Sequence, residues 1–345
     1  MSMQLAPDFT FRPLPPVADP VHFPFKLIPN PLGPLTELPG LWIGTGFNQI
    51  WRPFHSSPPA GQDHFLELNT TDENLKVEVI SGQIPNRGLL QPDINMFGVH
   101  YLQQISDPEG DGSGPVPAGL HLENGMWLTI PATTDPSEPA TIARLASIPH
   151  GTVMLAQGEA FEVRGPPVFQ PVDITPFKIG DPGQLFPFPE SNLSIPSNFR
   201  FANTNVTQAM VDNPNSVLEA AIAGQTITHT TVLTVSTLSP PIEGGGTANT
   251  VFLQGTSTSA PNASAVQVSA IFWIETVQGG PGQPDYLQLQ YTQTVLLDFN
   301  GLSWPHVSVA TLKLVTPEPP SISKVDPDIP AAVLKAAEQG ENPAS

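Results

Sequence analysis

The chain has 345 residues, with 43 prolines and no cysteine. Its 12 Lys and Arg residues against 31 Asp and Glu residues give a formal net charge of −19. That charge repels nucleic-acid phosphates and anionic bilayer surfaces, so we expect neither as a partner. The lack of cysteine excludes disulfides, thiolate catalysis and every cysteine-ligated metal or heme site.

The first 31 residues lack the basic start and apolar core of a secretory signal. No segment approaches the roughly 18 consecutive apolar residues of a membrane-spanning helix. We therefore expect a cytoplasmic protein.

Proline is concentrated in blocks that divide the chain. Residues 1–32 form a proline-rich N-terminal arm, and 33–316 are predicted to form one domain. Within that domain, 166–214 is an insertion rich in Pro and Phe, which we expect to pack as an apolar strap over the body. Residues 317–345 are a C-terminal tail with a short helical stretch at 331–339.

Between the proline blocks, apolar and polar residues mostly alternate with a period of two. About a dozen such segments lie between Trp42 and Val315, each bounded by Gly, Pro, Asn or Asp. This pattern predicts an all-β fold, a closed antiparallel barrel carrying the insertion and the two proline-rich arms. The clearest predicted helix is short, at 215–223, after the start signal Asn213-Pro214.

The last two predicted strands form a hairpin at 288–299 and 304–314. Alternation sends His306, Ser308, Ala310 and Leu312 to one face of the second strand. Both Ser308 and Ala310 are small, so they leave space next to the imidazole. A neutral histidine that faces an apolar interior is a candidate axial ligand for heme iron.

Several segments resemble the nitrobindin-like heme-binding family. The segment 35–46 matches that family's Leu-x-x-Leu-x-Gly-x-Trp-x-Gly-x-Gly start. The His-x-Glu-x-Gly-x-Trp pattern at 121–127 matches a middle strand, although Met126 and Leu128 stand where that family commonly has Tyr and Arg. The segment 302–312, with Trp304-Pro305-His306, is similar to the family's Pro-His ending.

The resemblance implies a calycin-type barrel, related to fatty-acid-binding proteins, that binds heme b through His306 as metal ligand. It also implies a cofactor pocket, for which the candidate residues are Trp42, Thr45, Asn48, Leu120, Met126, His150 and His306. The implied chemistry is nitric oxide binding or peroxynitrite isomerisation at the iron. A distal hydrogen-bonding group, with Thr45, Asn48 or His150 as candidates, would instead allow weak peroxidase-like turnover. Whether the protein is an enzyme stays open.

Two alternatives remain beside heme binding. One is a heme-free carrier of a small apolar ligand such as a fatty acid or terpenoid, with the insertion capping or enlarging its pocket. The other is an enzyme that orients such a metabolite in the cavity. The expected partner is a small molecule, and a homodimer is a candidate assembly.

Four polar residues have competing interpretations. Arg52 and Arg144 are candidates to pair with a heme propionate, but surface charges are the commoner outcome for arginine. His121 and Glu123 share one strand face and resemble half of a metal site, but a simple hydrogen-bonded pair is the favoured interpretation.

Overall fold

The computed structural model describes residues 31–54, 63–110, 116–149, 151–238, 245–254 and 262–315. Most of the predicted N-terminal arm and the predicted C-terminal tail with its helix at 331–339 lie outside these residues. So does His150, one of the predicted site residues.

Seventeen strands and three short α-helices make up the described chain. The strands are β1 (Gly40–Pro53), β2 (His64–Val79), β3 (Ile84–Asn86), β4 (Ile94–Asp107), β5 (Ala118–Ile130), β6 (Thr133–Thr134), β7 (Ser137–Glu138), β8 (Thr141–Ile148), β9 (Thr152–Arg164), β10 (Phe177–Lys178), β11 (Asp181–Leu185), β12 (Arg200–Ala202), β13 (Ile227–Ser236), β14 (Gly246–Asn249), β15 (Ser264–Val277), β16 (Tyr286–Phe299) and β17 (Leu302–Val315). The helices are α1 (Gln208–Asp212), α2 (Ser216–Ile222) and α3 (Val251–Gln254).

Ten long strands form a closed antiparallel barrel. Their order around the ring is β1, β2, β4, β5, β8, β9, β13, β15, β16 and β17, and β17 pairs again with β1. The all-β barrel predicted from the period-two pattern is therefore confirmed. The hairpin predicted at the end of the chain corresponds to β16 and β17.

Two glycines of the opening motif allow the barrel to close. A Cβ atom built on Gly44 would overlap the carbonyl oxygen of Thr311 in β17, and one on Gly46 would overlap that of Val309. Only glycine permits this close approach of backbones. The two glycines of the motif are thus needed where β1 pairs with β17.

One end of the lumen is filled by apolar side chains. A 3-10 helix at Gly33–Leu35 leads the chain into β1, and Leu35 and Trp42 are fully buried there. The indole Nε1 of Trp42 donates to the carbonyl oxygen of Leu38 at 2.8 Å. Trp42 therefore plugs this end of the barrel.

The insertion lies against the outer wall of the barrel. Its Phe169 packs edge-to-face on Trp273 of β15, with ring centroids 4.9 Å apart. The indole of Trp51 in β1 donates to the carbonyl oxygen of Ile174 at 3.1 Å. These contacts belong to a second apolar cluster, outside the lumen, that includes residues of β1, β2, β15 and β17. The strap predicted from the Phe-rich composition is present.

The later part of the insertion adds backbone pairing to the barrel. Strand β12 runs parallel to β2 and pairs with it at Leu66, Glu67 and Leu68. Strand β4 pairs with β2 only from Asp72 to Val79. Strand β12 therefore pairs with the earlier part of β2, which β4 does not reach. The side chain of Asn203 then bridges to Asp107 of β4, with Nδ2 3.1 Å from Oδ1.

Candidate functional site

A cavity of about 250 Å³ lies inside the barrel, at the end opposite the Trp42 plug. It is close to the points where β1 ends and β17 begins. Its apolar walls come from Ile50, Ile105, Leu120, Ile148, Leu253, Ala263, Ala265, Val268, Val295 and Leu297. Its polar lining comes from Asn48, Gln103, His121, Thr152, Tyr291, Gln293, His306 and Ser308. An apolar space with a few convergent polar groups is the usual form of a small-molecule site.

His306 lies on the cavity wall, as strand alternation predicts. The amide Nδ2 of Asn48 is 2.9 Å from its imidazole Nε2 and also donates to the hydroxyl oxygen of Ser308 at 2.7 Å. Because an amide nitrogen can only donate, the Nε2 of His306 acts as the acceptor in this contact. The amide therefore fixes the orientation of the ring against the wall.

Below the cavity, Arg144 forms a buried ion pair with the neighbouring strand β5 and reaches across the lumen to β16. Arg144 in β8 is 1% exposed, and its Nη2 is 2.6 Å from Oε1 of Glu123. Its other nitrogens donate to the hydroxyl of Tyr101 at 2.9 Å and to Oε1 of Gln293 at 2.6 Å. The second oxygen of Glu123 is 3.2 Å from Nε2 of His121. Every nitrogen of the guanidinium thus has a partner.

A second carboxyl lies beside this pair without a cation of its own. Oε2 of Glu73 accepts from the hydroxyl of Tyr291 at 2.7 Å and from Nε2 of Gln103 at 3.3 Å. Oε1 accepts from the hydroxyl of Thr71 at 3.0 Å. We call these two groups together the floor network; its members are Thr71, Glu73, Tyr101, Gln103, His121, Glu123, Arg144, Tyr291 and Gln293.

The pKa values of the two carboxyls in the floor network are shifted in opposite directions. Burial raises the pKa of Glu73 to about 7, against partial compensation by its hydrogen bonds. Burial also acts on Glu123, but the charge of Arg144 and the hydrogen bonds from His121 and Tyr101 outweigh it and lower the pKa to about 2. Near neutral pH the floor therefore holds a fixed ion pair and one carboxyl that is partly protonated.

The predicted cofactor residues divide between the inside and the outside of the barrel. Asn48, Leu120 and His306 line the cavity, and Trp42 is inside but in the plug at the other end. Thr45 and Met126 are exposed on the outer wall, and Met126 is 44% exposed. Alternation explains this, because inward-facing Glu123 and Trp127 in β5 place position 126 outside.

Among the other polar residues, Arg52 lies 2.5 Å from Glu67 through its Nε and is partly exposed on the strand wall. Arg144 is fully buried, so the surface position favoured for it from the sequence is wrong. The hydrogen-bonded His121–Glu123 pair is confirmed. Within the described residues, no group of three or more His, Cys, Asp or Glu side chains is placed to hold a metal ion.

Most residues of the floor network were not predicted to face the lumen. The sequence nevertheless contained a signal for the burial of Glu73. This residue continues the alternation of β2, two and four positions before the inward-facing Leu75 and Val77. Arg144 likewise stands between Ile142 and Ala146, both buried in the lumen. Extending the period-two pattern through these charged positions would have placed both inside.

A heme does not fit the lumen as the structure has it. About 250 Å³ is room for about eight water molecules at roughly 30 Å³ each, and it is below the ~300–1,000 Å³ typical of pockets for drug-sized ligands. A porphyrin is larger than most such ligands. The floor network occupies the space beneath, and the Nε2 of His306 is already bonded to Asn48.

A larger groove of about 830 Å³ lies on the outer wall between the insertion and strands β9, β13 and β15. Of the buried polar atoms that lack a partner in the described part of the chain, none belongs to a residue lining this groove. The lumen cavity, which does include such an atom, is the better candidate site.

No family model, curated protein or solved structure matches the chain. None of the described helices is long and apolar enough to span a membrane.

Proposed function

We propose that this protein binds a small, largely apolar molecule in the lumen cavity without heme. The observation that carries this proposal is a cavity of about 250 Å³ with aliphatic walls inside a closed barrel. Small barrels commonly hold one ligand in this way. Burial of the ligand's apolar surface would supply most of the affinity.

The floor network supports this function by fixing the depth of the site. Its ion pair and hydrogen bonds link β2, β4, β5, β8 and β16 across the lumen. Breaking a buried pair by removing one partner is costly, so a ligand does not displace it easily. The ligand is thereby confined to the end of the lumen near His306.

A cavity-filling substitution tests the proposal. Leu120 lines the cavity, whereas Leu102 in β4 is 41% exposed on the outer wall. We expect radiolabelled naphthalene, measured by equilibrium dialysis against the full chain, to bind saturably at one site. Leu120→Trp should weaken that binding at least about tenfold because the indole occupies the space, and Leu102→Trp should leave it unchanged. Equal affinity in both variants would place binding elsewhere.

Heme binding is the second candidate, favoured by the position of His306 on the cavity wall. Hemin titration separates the two functions. The heme-free proposal expects only the broad spectrum of unligated hemin. A sharp Soret band that disappears in His306→Ala would overturn it, and would mean that the lumen rearranges around the cofactor.

A further inference from the structure

Two buried amides in the barrel wall have hydrogen-bonding atoms without partners. Asn48 in β1 is 3% exposed and Asn69 in β2 is 2% exposed. Among the described residues, Oδ1 of Asn48 accepts no hydrogen bond and Nδ2 of Asn69 donates none. Such buried atoms normally find a partner, which is often a water molecule or a ligand.

These two amides are direct neighbours across the strand pair. Asn48 is opposite Asn69 in the register of β1 and β2. Both positions share the inward face, since Asn69 precedes inward-facing Thr71 and Glu73 by two and four residues. Asn48 also lines the cavity. An unpaired acceptor on a residue that lines the cavity and an unpaired donor on its cross-strand neighbour therefore share the inward face of the barrel.

One hydroxyl group meets both needs. Its O–H donates to Oδ1 of Asn48, while its oxygen accepts from Nδ2 of Asn69. An ether oxygen accepts but cannot donate, and an ionised carboxylate likewise has no donor. The chemistry of the pair thus favours an alcohol over both.

The charges around the cavity act against an anionic ligand. Among the described lining residues there is no lysine or arginine. Arg144, in the floor beneath them, is already bonded to Glu123, Gln293 and Tyr101. Glu73 is a further carboxyl in the same floor. A carboxylate ligand would have to give up its hydration without gaining a free cation.

We propose that the cavity binds an uncharged alcohol, with an apolar body packed on the aliphatic walls and its hydroxyl held between Asn48 and Asn69. This inference rests on the proposed ligand-binding function and adds the class of ligand. A cavity of about 150 Å³ accommodates benzene, so 250 Å³ suits a molecule of about ten non-hydrogen atoms.

Three matched probes test the inference by calorimetry on the full chain at pH 8: octan-1-ol, its isomer heptyl methyl ether, and octanoate. We expect octan-1-ol to bind about tenfold more tightly than the ether, because only the alcohol donates. Octanoate should bind roughly 100-fold more weakly than the alcohol. This ranking is measured on the unaltered protein and depends on no variant.

A substitution then assigns the preference to the amide. Asn48→Leu should reduce the alcohol-to-ether affinity ratio from about ten to about one, because the acceptor is gone. Asn124→Leu, an exposed change in β5, should retain the ratio of the unaltered chain. An unchanged ratio in folded Asn48→Leu would overturn the role of Asn48.

The outcomes separate the two proposals. Equal binding of alcohol and ether would overturn the inference alone and would indicate that a buried water already bridges the amides. Tightest binding of octanoate would overturn it as well. If naphthalene binds but no eight-carbon probe does, the inference fails and the ligand-binding function stands. If none of the four probes binds, the proposed function fails.

Discussion

At the scale of single residues, two glutamates in one lumen differ in charge because only one is paired with an arginine. Glu73 and Glu123 are both fully buried. Arg144 contacts Glu123 at 2.6 Å, whereas Glu73 has only neutral hydrogen-bond donors. Burial therefore dominates the pKa of Glu73 and the ion pair dominates that of Glu123. The charge of the cavity floor therefore changes near neutral pH as Glu73 titrates.

The raised pKa of Glu73 predicts that the folded protein becomes less stable as the pH rises. The folded protein holds this proton up to about pH 7, whereas a glutamate in the unfolded chain releases it near 4.5. The free energy of unfolding therefore falls between these pH values, by on the order of 3 kcal/mol, and this loss persists above pH 7. Glu73→Gln removes the titrating group, so its stability relative to the unaltered protein should increase from pH 4.5 to 7.

Urea denaturation at several pH values measures this difference. Burial also raises the pKa of Glu275 to about 7, but that residue is present in both proteins and cancels in the comparison. Asn124→Gln, an exposed change in β5, serves as the control. Parallel stability curves for Glu73→Gln and the unaltered chain would show that Glu73 is ionised throughout.

The sequence located some of the site residues and not others for a common reason. Alternation in β17 correctly placed His306 on the cavity wall, because a strand with one buried face fixes the direction of every side chain. Met126 and Thr45 were assigned from the motif without applying the same alternation, and both are on the outer wall. The burial of Arg144 was not predicted because charged residues are rarely buried unless they are paired, and Arg144 meets its partner Glu123 only in the folded barrel.

At the scale of elements, the insertion contributes stability without forming part of the lumen cavity. None of its residues lines that cavity. Its apolar side chains instead pack against outward-facing residues of the barrel, such as Trp51 and Trp273. The expectation that it caps or enlarges the pocket therefore lacks support from its position. The barrel has apolar residues on both faces of several strands because both faces are covered there.

Phe169→Ala tests this division of roles. Phe169 is 8% exposed and packs on Trp273, so its truncation should lower the free energy of unfolding by about 3 kcal/mol. Val168→Ala, a change at a neighbouring side chain that is 77% exposed, should have little effect. Urea denaturation measures both.

Naphthalene binding by the same two variants tests whether the insertion affects the cavity. We expect the affinity of both folded variants to equal that of the unaltered chain. A clear loss of affinity in folded Phe169→Ala would instead show that the strap shapes the cavity through the barrel wall.

Most short elements of the insertion could not be predicted from local sequence. Helix α2 (Ser216–Ile222), which begins just after the insertion, follows the predicted signal closely. Helix α1 and strand β12 have only five and three residues, which is too short for a periodic pattern to emerge. They form because neighbouring elements hold them, as the pairing of β12 with β2 illustrates.

At the scale of the whole molecule, the alternation of apolar and polar residues predicts the barrel but does not predict the free volume of its lumen. Strand number and direction depend on alternation and turns, which the sequence displays directly. The space left for a ligand depends on how the floor network packs across five strands. That packing leaves a cavity of about 250 Å³ beside His306, which alternation in β17 alone does not reveal.

The parallel pairing of β12 has a consequence for the solution behaviour of the protein. Without β12, the backbone amides and carbonyls of β2 near Leu66 and Leu68 would have no partner on that side. An open row of such groups is a template to which the strand of another molecule can add. The insertion therefore covers an edge that would otherwise be open, and we expect a chain with a shortened insertion to aggregate more readily.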